Sequence, residues 1–190
     1  KDFYKLPDNQ VVVATPATDP SVFYRRGQKE IGQVKQKYGI TGDYILALSN
    51  LEPRKNLAAL VDVYCRLPKE ITDKTALLLV GVSGWKTDEL FNDIVSRVDA
   101  GANIIRPSHY VTDEDRPAII SGAKMLVYPS HYEGFGMPPL EALACGVPVI
   151  TADNSSLPEV VKGVGAMVDS KDVKELHRAI LDYLENIEEK

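Results

Sequence analysis

Two adjacent cations, Arg54 and Lys55, lie in the loop Asn50-Leu51-Glu52-Pro53-Arg54-Lys55-Asn56, directly after one apolar run and directly before an amphipathic one. A helix N-terminus carries partial positive charge and favours anions, so cations placed there cost stability unless an anion is shared. Arginine gives phosphate oxygens a forked pair of donors and lysine a compact charge. A diphosphate is therefore the natural shared ligand, and a solvated loop with two surface charges is the alternative. If the ligand is the shared anion, replacing both cations by alanine weakens nucleotide binding and leaves the melting temperature of the empty protein level or raised. A second loop runs from Tyr128 through Pro129, Ser130 and Glu133 to Glu141 and Ala142, with Gly134 and Gly136 flanking Phe135. Glycines let backbone amides approach a ligand closely, and Pro138 and Pro139 suit the first turn of a helix. Glu133 in the loop and Glu141 eight positions later bring two carboxylates toward one cleft mouth. Carboxylates only accept, which suits sugar hydroxyls, each able to donate; the structural alternatives are a surface acid for Glu133 and a dipole partner for Glu141.

Two further segments carry weaker signals. In Arg106-Pro107-Ser108-His109-Tyr110-Val111, Tyr110 either stacks on a base or packs, and Thr112 with Asp115 resembles a capping box. Gly81-Val82-Ser83-Gly84-Trp85 is either a close-approach loop or a turn. His177 falls in an amphipathic run and reads as a surface residue.

These segments need elements to hold them. Tyr44 to Ser49 is an apolar run of strand length, and in the run that follows Leu57, Leu60, Val61 and Tyr64 share one helical face, with Asn56 supplying an N-cap oxygen. The alternation recurs: Ala76 to Val80 before a helix around Thr87 to Val98, and Asn103 to Ile105 before a helix capped by Thr112. Lys124 to Tyr128 precedes a helix through Pro139 to Ala144, and Val147 to Ile150 a short one near Leu157 to Val161. Gly165 to Val168 precedes the last, from Lys171 to about Ile187. Continuous apolar strands alternating with helices predict an α/β domain with a doubly wound parallel sheet, Rossmann-like, in which ligands bind beyond the carboxyl ends of the strands. Residues 1–43 form a lead-in segment with a short strand at Val11 to Val13, a turn and packed aromatic over Asp19 to Phe23, and a helix from Glu30 to Tyr38.

Composition excludes several classes. The chain has 190 residues, 27 acidic and 22 basic, for a formal charge of −5, so it lacks the basic footprint of a nucleic-acid binder. Apolar runs of about five residues fall far short of the ~20 that a membrane span needs. Cys65 and Cys145 are too few and too far apart for a disulfide framework and read as small apolar residues in helices of a cytoplasmic protein. No cluster has metal-ligand spacing, no G-x-S-x-G elbow is present, and a G-x-G-x-x-G after the first strand is missing, which speaks against a nicotinamide enzyme. The first residue is Lys1, and the chain reads as a piece of something larger.

The residues Leu51-Glu52-Pro53-Arg54-Lys55-Asn56, Pro129-Ser130 through Glu133-Gly134-Phe135-Gly136 to Glu141-Ala142, and Gly146-Val147-Pro148-Val149-Ile150 resemble the donor-binding C-terminal domain of retaining GT-B glycosyltransferases, family 4 or group 1 type. The resemblance covers nearly the whole chain and implies a hexosyltransferase domain, with the N-terminal acceptor domain of the same enzyme absent. It implies that Arg54 and Lys55 hold the diphosphate and that Glu133, with the amides of Gly134, Phe135 and Gly136, holds the hexose. Glu141 would accept from the ribose hydroxyls, Tyr110 and Val111 would border the base, and Gly81 would approach the donor. No metal or other cofactor is expected. The expected partners are a nucleotide sugar, GDP-mannose by analogy or a UDP-hexose, and a saccharide or glycolipid acceptor, with the whole enzyme cytoplasmic and reaching the inner membrane face through its missing part. Ser49, and Ser108 with His109, stand where the family commonly has glycine. The competing readings are a nucleotide-sugar epimerase, a glycogen or sucrose synthase-like enzyme, and a non-catalytic nucleotide-sugar-binding module.

Overall fold

A computed structural model describes Pro7, Val12 and residues 14–82, 84–85 and 87–188. Six parallel strands, β1 (Asp43–Leu48), β2 (Thr75–Val80), β3 (Ile104–Ile105), β4 (Met125–Tyr128), β5 (Val149–Ala152) and β6 (Ala166–Val168), form one sheet in the order β3-β2-β1-β4-β5-β6. Among the described residues eight α-helices surround it: α1 (Gln28–Lys37), α2 (Leu57–Cys65), α3 (Lys69–Thr72), α4 (Asp88–Asp99), α5 (Arg116–Ser121), α6 (Met137–Ala144), α7 (Leu157–Val161) and α8 (Val173–Glu188). The period-2 alternation of strand side chains explains the two layers. Leu78 and Val80 of β2 enter a core with Tyr38, Ile119, Ala142 and Leu157, beneath α1 and α5 to α7. Leu77 and Leu79 enter the opposite core with Leu60, Ile94 and Ile180, beneath α2, α4 and α8. Because both faces are covered, β2 is buried from end to end and reads as one apolar run. The doubly wound parallel sheet expected from the alternation is the observed fold.

The strand order reverses between β1 and β4, which pair in parallel with Ile45 opposite Met125 and Leu46 opposite Leu126. Chain leaving β1 turns toward β2 and chain leaving β4 turns toward β5, so their loops diverge and open a crevice at the switch point.

Local details differ from expectation for physical reasons. Asn56 does not cap α2: its backbone is left-handed, with φ 57° and ψ 31°, and no side-chain cap is made. Asparagine tolerates that conformation, and its Nδ2 instead donates to the carbonyls of Pro129 (3.2 Å) and Ser170 (2.8 Å), tying together the loops after β1, β4 and β6. The last helix starts at Val173, where the Asp172 carboxylate accepts from the amides of Lys174 (2.9 Å) and Glu175 (3.0 Å). Thr112 stands one turn outside α5: its Oγ1 accepts from the Asp115 amide at 3.4 Å, and the helix begins at Arg116. The turn at Asp19 forms as expected, with Phe23 buried behind it. The strand expected over residues 11–13 falls on positions of which only Val12 is described, so it lies outside the described residues. Cys65 and Cys145 are free thiols, and no described helix is long and apolar enough to cross a membrane.

Candidate functional site

A cleft of about 610 Å³ opens at the switch point, floored by the ends of β1 and β2 at Leu48, Leu79 and Val80. Its size is that of a small-molecule site. Of the residues singled out from sequence, Lys55, Gly81, Tyr110, Val111 and Glu141 line it. Arg54, Glu133, Gly134, Phe135 and Gly136 do not. Ser49, Asn50, Arg106, Arg116 and Tyr128 line it as well.

The two cations already share an anion, and it belongs to the protein. Lys55 Nζ donates to Glu133 Oε1 at 2.7 Å and to the Tyr128 hydroxyl at 2.9 Å. Arg54 Nη1 donates to Glu133 Oε2 at 3.0 Å and to the Tyr132 carbonyl at 2.6 Å. The side chains of Lys55 and Glu133 are each 9% exposed, against 38% for Arg54. Lys55 is therefore no solvated surface charge, and the geometry argues against the expectation that losing both cations leaves the melting temperature level or raised, because Glu133 would remain buried without either cation. Burial works to raise the Glu133 pKa, but the Lys55 ammonium, then Ser130 and Arg54, outweigh it and hold the carboxyl below its ordinary range. Arg54 Nη2 also meets Glu52 Oε1 at 3.3 Å, and Glu52 Oε2 accepts from the Trp85 indole at 3.0 Å.

The glycines around Phe135 differ from each other. Gly136 is the N-cap of α6 with φ +112°, and a Cβ there would stand 2.8 Å from Leu157 Cδ2, so helix entry and packing require it. Gly134 is exposed with open space around it. The loop is held by Ser155 Oγ, which accepts from the Glu133 amide at 3.0 Å, and by Ser156 Oγ, which donates to the carbonyls of Glu133 (3.1 Å) and Phe135 (2.8 Å). At Gly81 a Cβ would fall 1.8 Å from the Ser49 carbonyl oxygen. The close approach at this glycine is chain against chain.

Tyr110 is 66% exposed, which removes the packing alternative. Its segment is fixed from beneath by Tyr38 at the end of α1, whose hydroxyl accepts from the Thr112 amide (3.3 Å) and donates to Asp115 Oδ2 (2.7 Å). Glu141 is buried in α6, where its Oε1 meets Arg116 Nη2 at 3.5 Å and its Oε2 has no hydrogen-bond partner among the described residues. Burial pushes its carboxyl up, and Arg116 opposes that shift. Arg116 escaped the sequence reading, and Tyr128 was named there only as the start of its loop, because a helix-start arginine and a strand-end tyrosine look structural until the topology turns them to one cleft. Arg106 was visible within its loop, and its guanidinium lies 4.2 Å from the centre of the Phe91 ring. Among the described residues no group of three or more His, Cys, Asp or Glu side chains could hold a metal ion.

A sequence model of the family described as "Glycosyl transferases group 1" matches residues 30–190. The O-antigen chain mannosyltransferase B of Escherichia coli is 39% identical over 176 residues, covering 92% of this chain and 46% of that protein. The chain thus spans about half the length of that relative. Among solved structures, Anabaena Alr3699/HepE in complex with UDP-glucose superposes with a TM-score of 0.76 at 20% identity, covering 90% of this chain and 47% of that one. The C-terminal domain of a glycosyl transferase group 1 family protein (LpcC) from Francisella tularensis gives 0.74 at 22%, covering 92% and 89%. At those identities the structural likeness speaks to the fold.

Proposed function

This chain belongs to the group 1 glycosyl transferases, and from that premise we propose that its cleft holds the nucleotide-sugar donor of a hexosyl transfer. One observation carries the reading: a buried ammonium, Lys55, stands in the cleft wall at the carboxyl end of β1, held by Glu133 and Tyr128. An ammonium has three N–H donors, and these partners take two. The third serves a phosphate oxygen, and Arg54 adds charge from behind. In the reaction the bond between C1 of the hexose and the diphosphate oxygen breaks, and its electron pair leaves with the diphosphate. Fixed cations offset that growing charge without reorganisation, in the place a metal would otherwise fill. An acceptor hydroxyl oxygen forms the new bond to C1, and its proton leaves with the diphosphate.

Glu133 and the exposed Gly134 amide would hold the hexose, Glu141 the ribose hydroxyls, and Tyr110 the base. Relatives named as mannosyltransferases, one of them GDP-mannose-dependent, support mannose from GDP-mannose first, and a structural neighbour in complex with UDP-glucose supports a UDP-hexose second. An O-antigen enzyme among them supports a saccharide or glycolipid acceptor, which another domain of the whole enzyme would bind. Two unpaired thiols support a reducing, cytoplasmic setting.

Calorimetric titration of the chain with free nucleotide and with nucleotide sugar tests the assignment. Glu141→Ala weakens both ligands alike, whereas Glu133→Ala, which also frees Lys55 and Arg54, weakens the nucleotide sugar more than the free nucleotide. Loss of both ligands to the same extent in both variants contradicts the roles given to the two carboxylates.

A further inference from the structure

Arg116 lies outside the motifs that carry the family resemblance, yet it is a cleft residue with an unusual set of neighbours. It is the first residue of α5, directly before Pro117, and its side chain is only one-third exposed. Nη2 faces Glu141 Oε1 across the gap between α5 and α6 at 3.5 Å, Nη1 faces Asp113 Oδ1 at 3.3 Å, and the guanidinium carbon stands 5.4 Å from the centre of the Phe23 ring. The Glu141 contact is longer than the 2.7–2.9 Å typical of a charge-assisted bond. The other oxygen, Oε2, is buried and has no hydrogen-bond partner among the described residues. A carboxylate so placed has acceptor capacity that no described side chain takes up, and its terminal torsion is broad and two-fold, so either oxygen can serve the cleft. Without a nearby cation, burial would favour the neutral acid, which accepts more weakly.

We propose that Arg116 is a positioning residue for nucleotide binding: it anchors one oxygen of Glu141 from α5 and so keeps this carboxylate an acceptor for the vicinal hydroxyls of the ribose. The inference rests on the nucleotide-sugar reading of the cleft. Its specific consequence is that Arg116 acts only on ligands with hydroxyls to donate. Phe23 and Asp113 fix the guanidinium, and Pro117 and the α5 backbone fix its root. A lysine at this position keeps the charge and loses the fork, so it restores part of the effect.

The experiment titrates the chain with a nucleoside diphosphate and with its 2′,3′-dideoxy form, in the guanine and uracil series, for the native chain, Arg116→Leu and Arg116→Lys. The native chain is expected to prefer the ribose form. Arg116→Leu lowers affinity for the ribose form about tenfold or more, as befits weakened hydrogen bonds from the ribose to a carboxylate that has lost its cation, and leaves the dideoxy form within twofold. Arg116→Lys recovers part of the loss. Because both ligands are compared on the same protein, partial unfolding of a variant lowers both and leaves their ratio intact. An unchanged ratio in Arg116→Leu overturns the role of Arg116 while leaving the cleft reading in place. A native chain that binds neither nucleotide overturns the cleft reading and this inference with it.

Discussion

At the scale of single residues, the centre of the site is the Lys55 to Glu133 pair, in which each charge makes the burial of the other tolerable. Removing one member of a buried pair leaves an uncompensated charge, which typically costs about 3–5 kcal/mol. Lys55→Ala is therefore expected to lower the melting temperature sharply in the absence of ligand, and adding Glu133→Gln to it should restore much of the loss. Denaturant unfolding of the two single variants and the double variant measures the coupling; additive effects would mean that the pair is not a pair. The two glutamates also predict opposite pH behaviour. Glu133 has its pKa depressed in the fold, so its contribution is full above the ordinary carboxylate value of 4.5 and is lost as pH falls through its lower folded value. Glu141 has its pKa raised, so its contribution is present below 4.5 and is lost as pH rises through its higher folded value. Stability measured against pH should thus fall less steeply in acid for Glu133→Gln than for the native chain, and more steeply for Glu141→Gln.

At the scale of elements, the site depends on loops held to one another more than on any one helix. Asn56 shows this most clearly, since its amide reaches the loops after β4 and β6 from a left-handed backbone. Asn56→Gly keeps the backbone and loses both hydrogen bonds, so about 1–3 kcal/mol should disappear. Asn56→Ala adds left-handed strain of roughly 1 kcal/mol, and urea unfolding should rank native above glycine above alanine. The same residue marks where sequence reading stopped. Asparagine before an amphipathic run signals a cap, and only the spatial neighbours of this turn reveal a staple. The alternation of apolar runs with helical faces did make the sheet legible, because strands covered on both faces leave an unbroken apolar signature such as that of β2. Lys55 was legible as chemistry because cations before a helix N-terminus are costly for a bland loop, and Glu133 and Glu141 because they stand on either side of a glycine-flanked aromatic that leads into a helix. Their pairing was not legible: Glu133 is 78 positions from Lys55, and nothing local distinguishes a carboxylate aimed at a ligand from one aimed at a lysine. Arg116 was hidden for the same reason, since its partner comes from another helix.

At the scale of the whole molecule, the reversal of strand order between β1 and β4 sets everything else, because it alone opens a crevice where loops from both halves of the sheet meet. Lys55 enters from the β1 side, Tyr110 from the β3 side and Glu141 from the β4 side, so diphosphate, base and ribose would each be met by a different loop. The chain spans about half the length of one mannosyltransferase relative, and both faces of its sheet are covered. The central claim is that this crevice is where the nucleotide sugar sits, and a crystal structure of the chain grown with GDP-mannose or UDP-glucose tests it most directly. The account predicts a diphosphate oxygen within hydrogen-bond distance of Lys55 Nζ and a ribose hydroxyl on the Glu141 carboxylate, with the Lys55 to Glu133 contact kept. A nucleotide bound elsewhere on the surface, with this crevice empty, would contradict it.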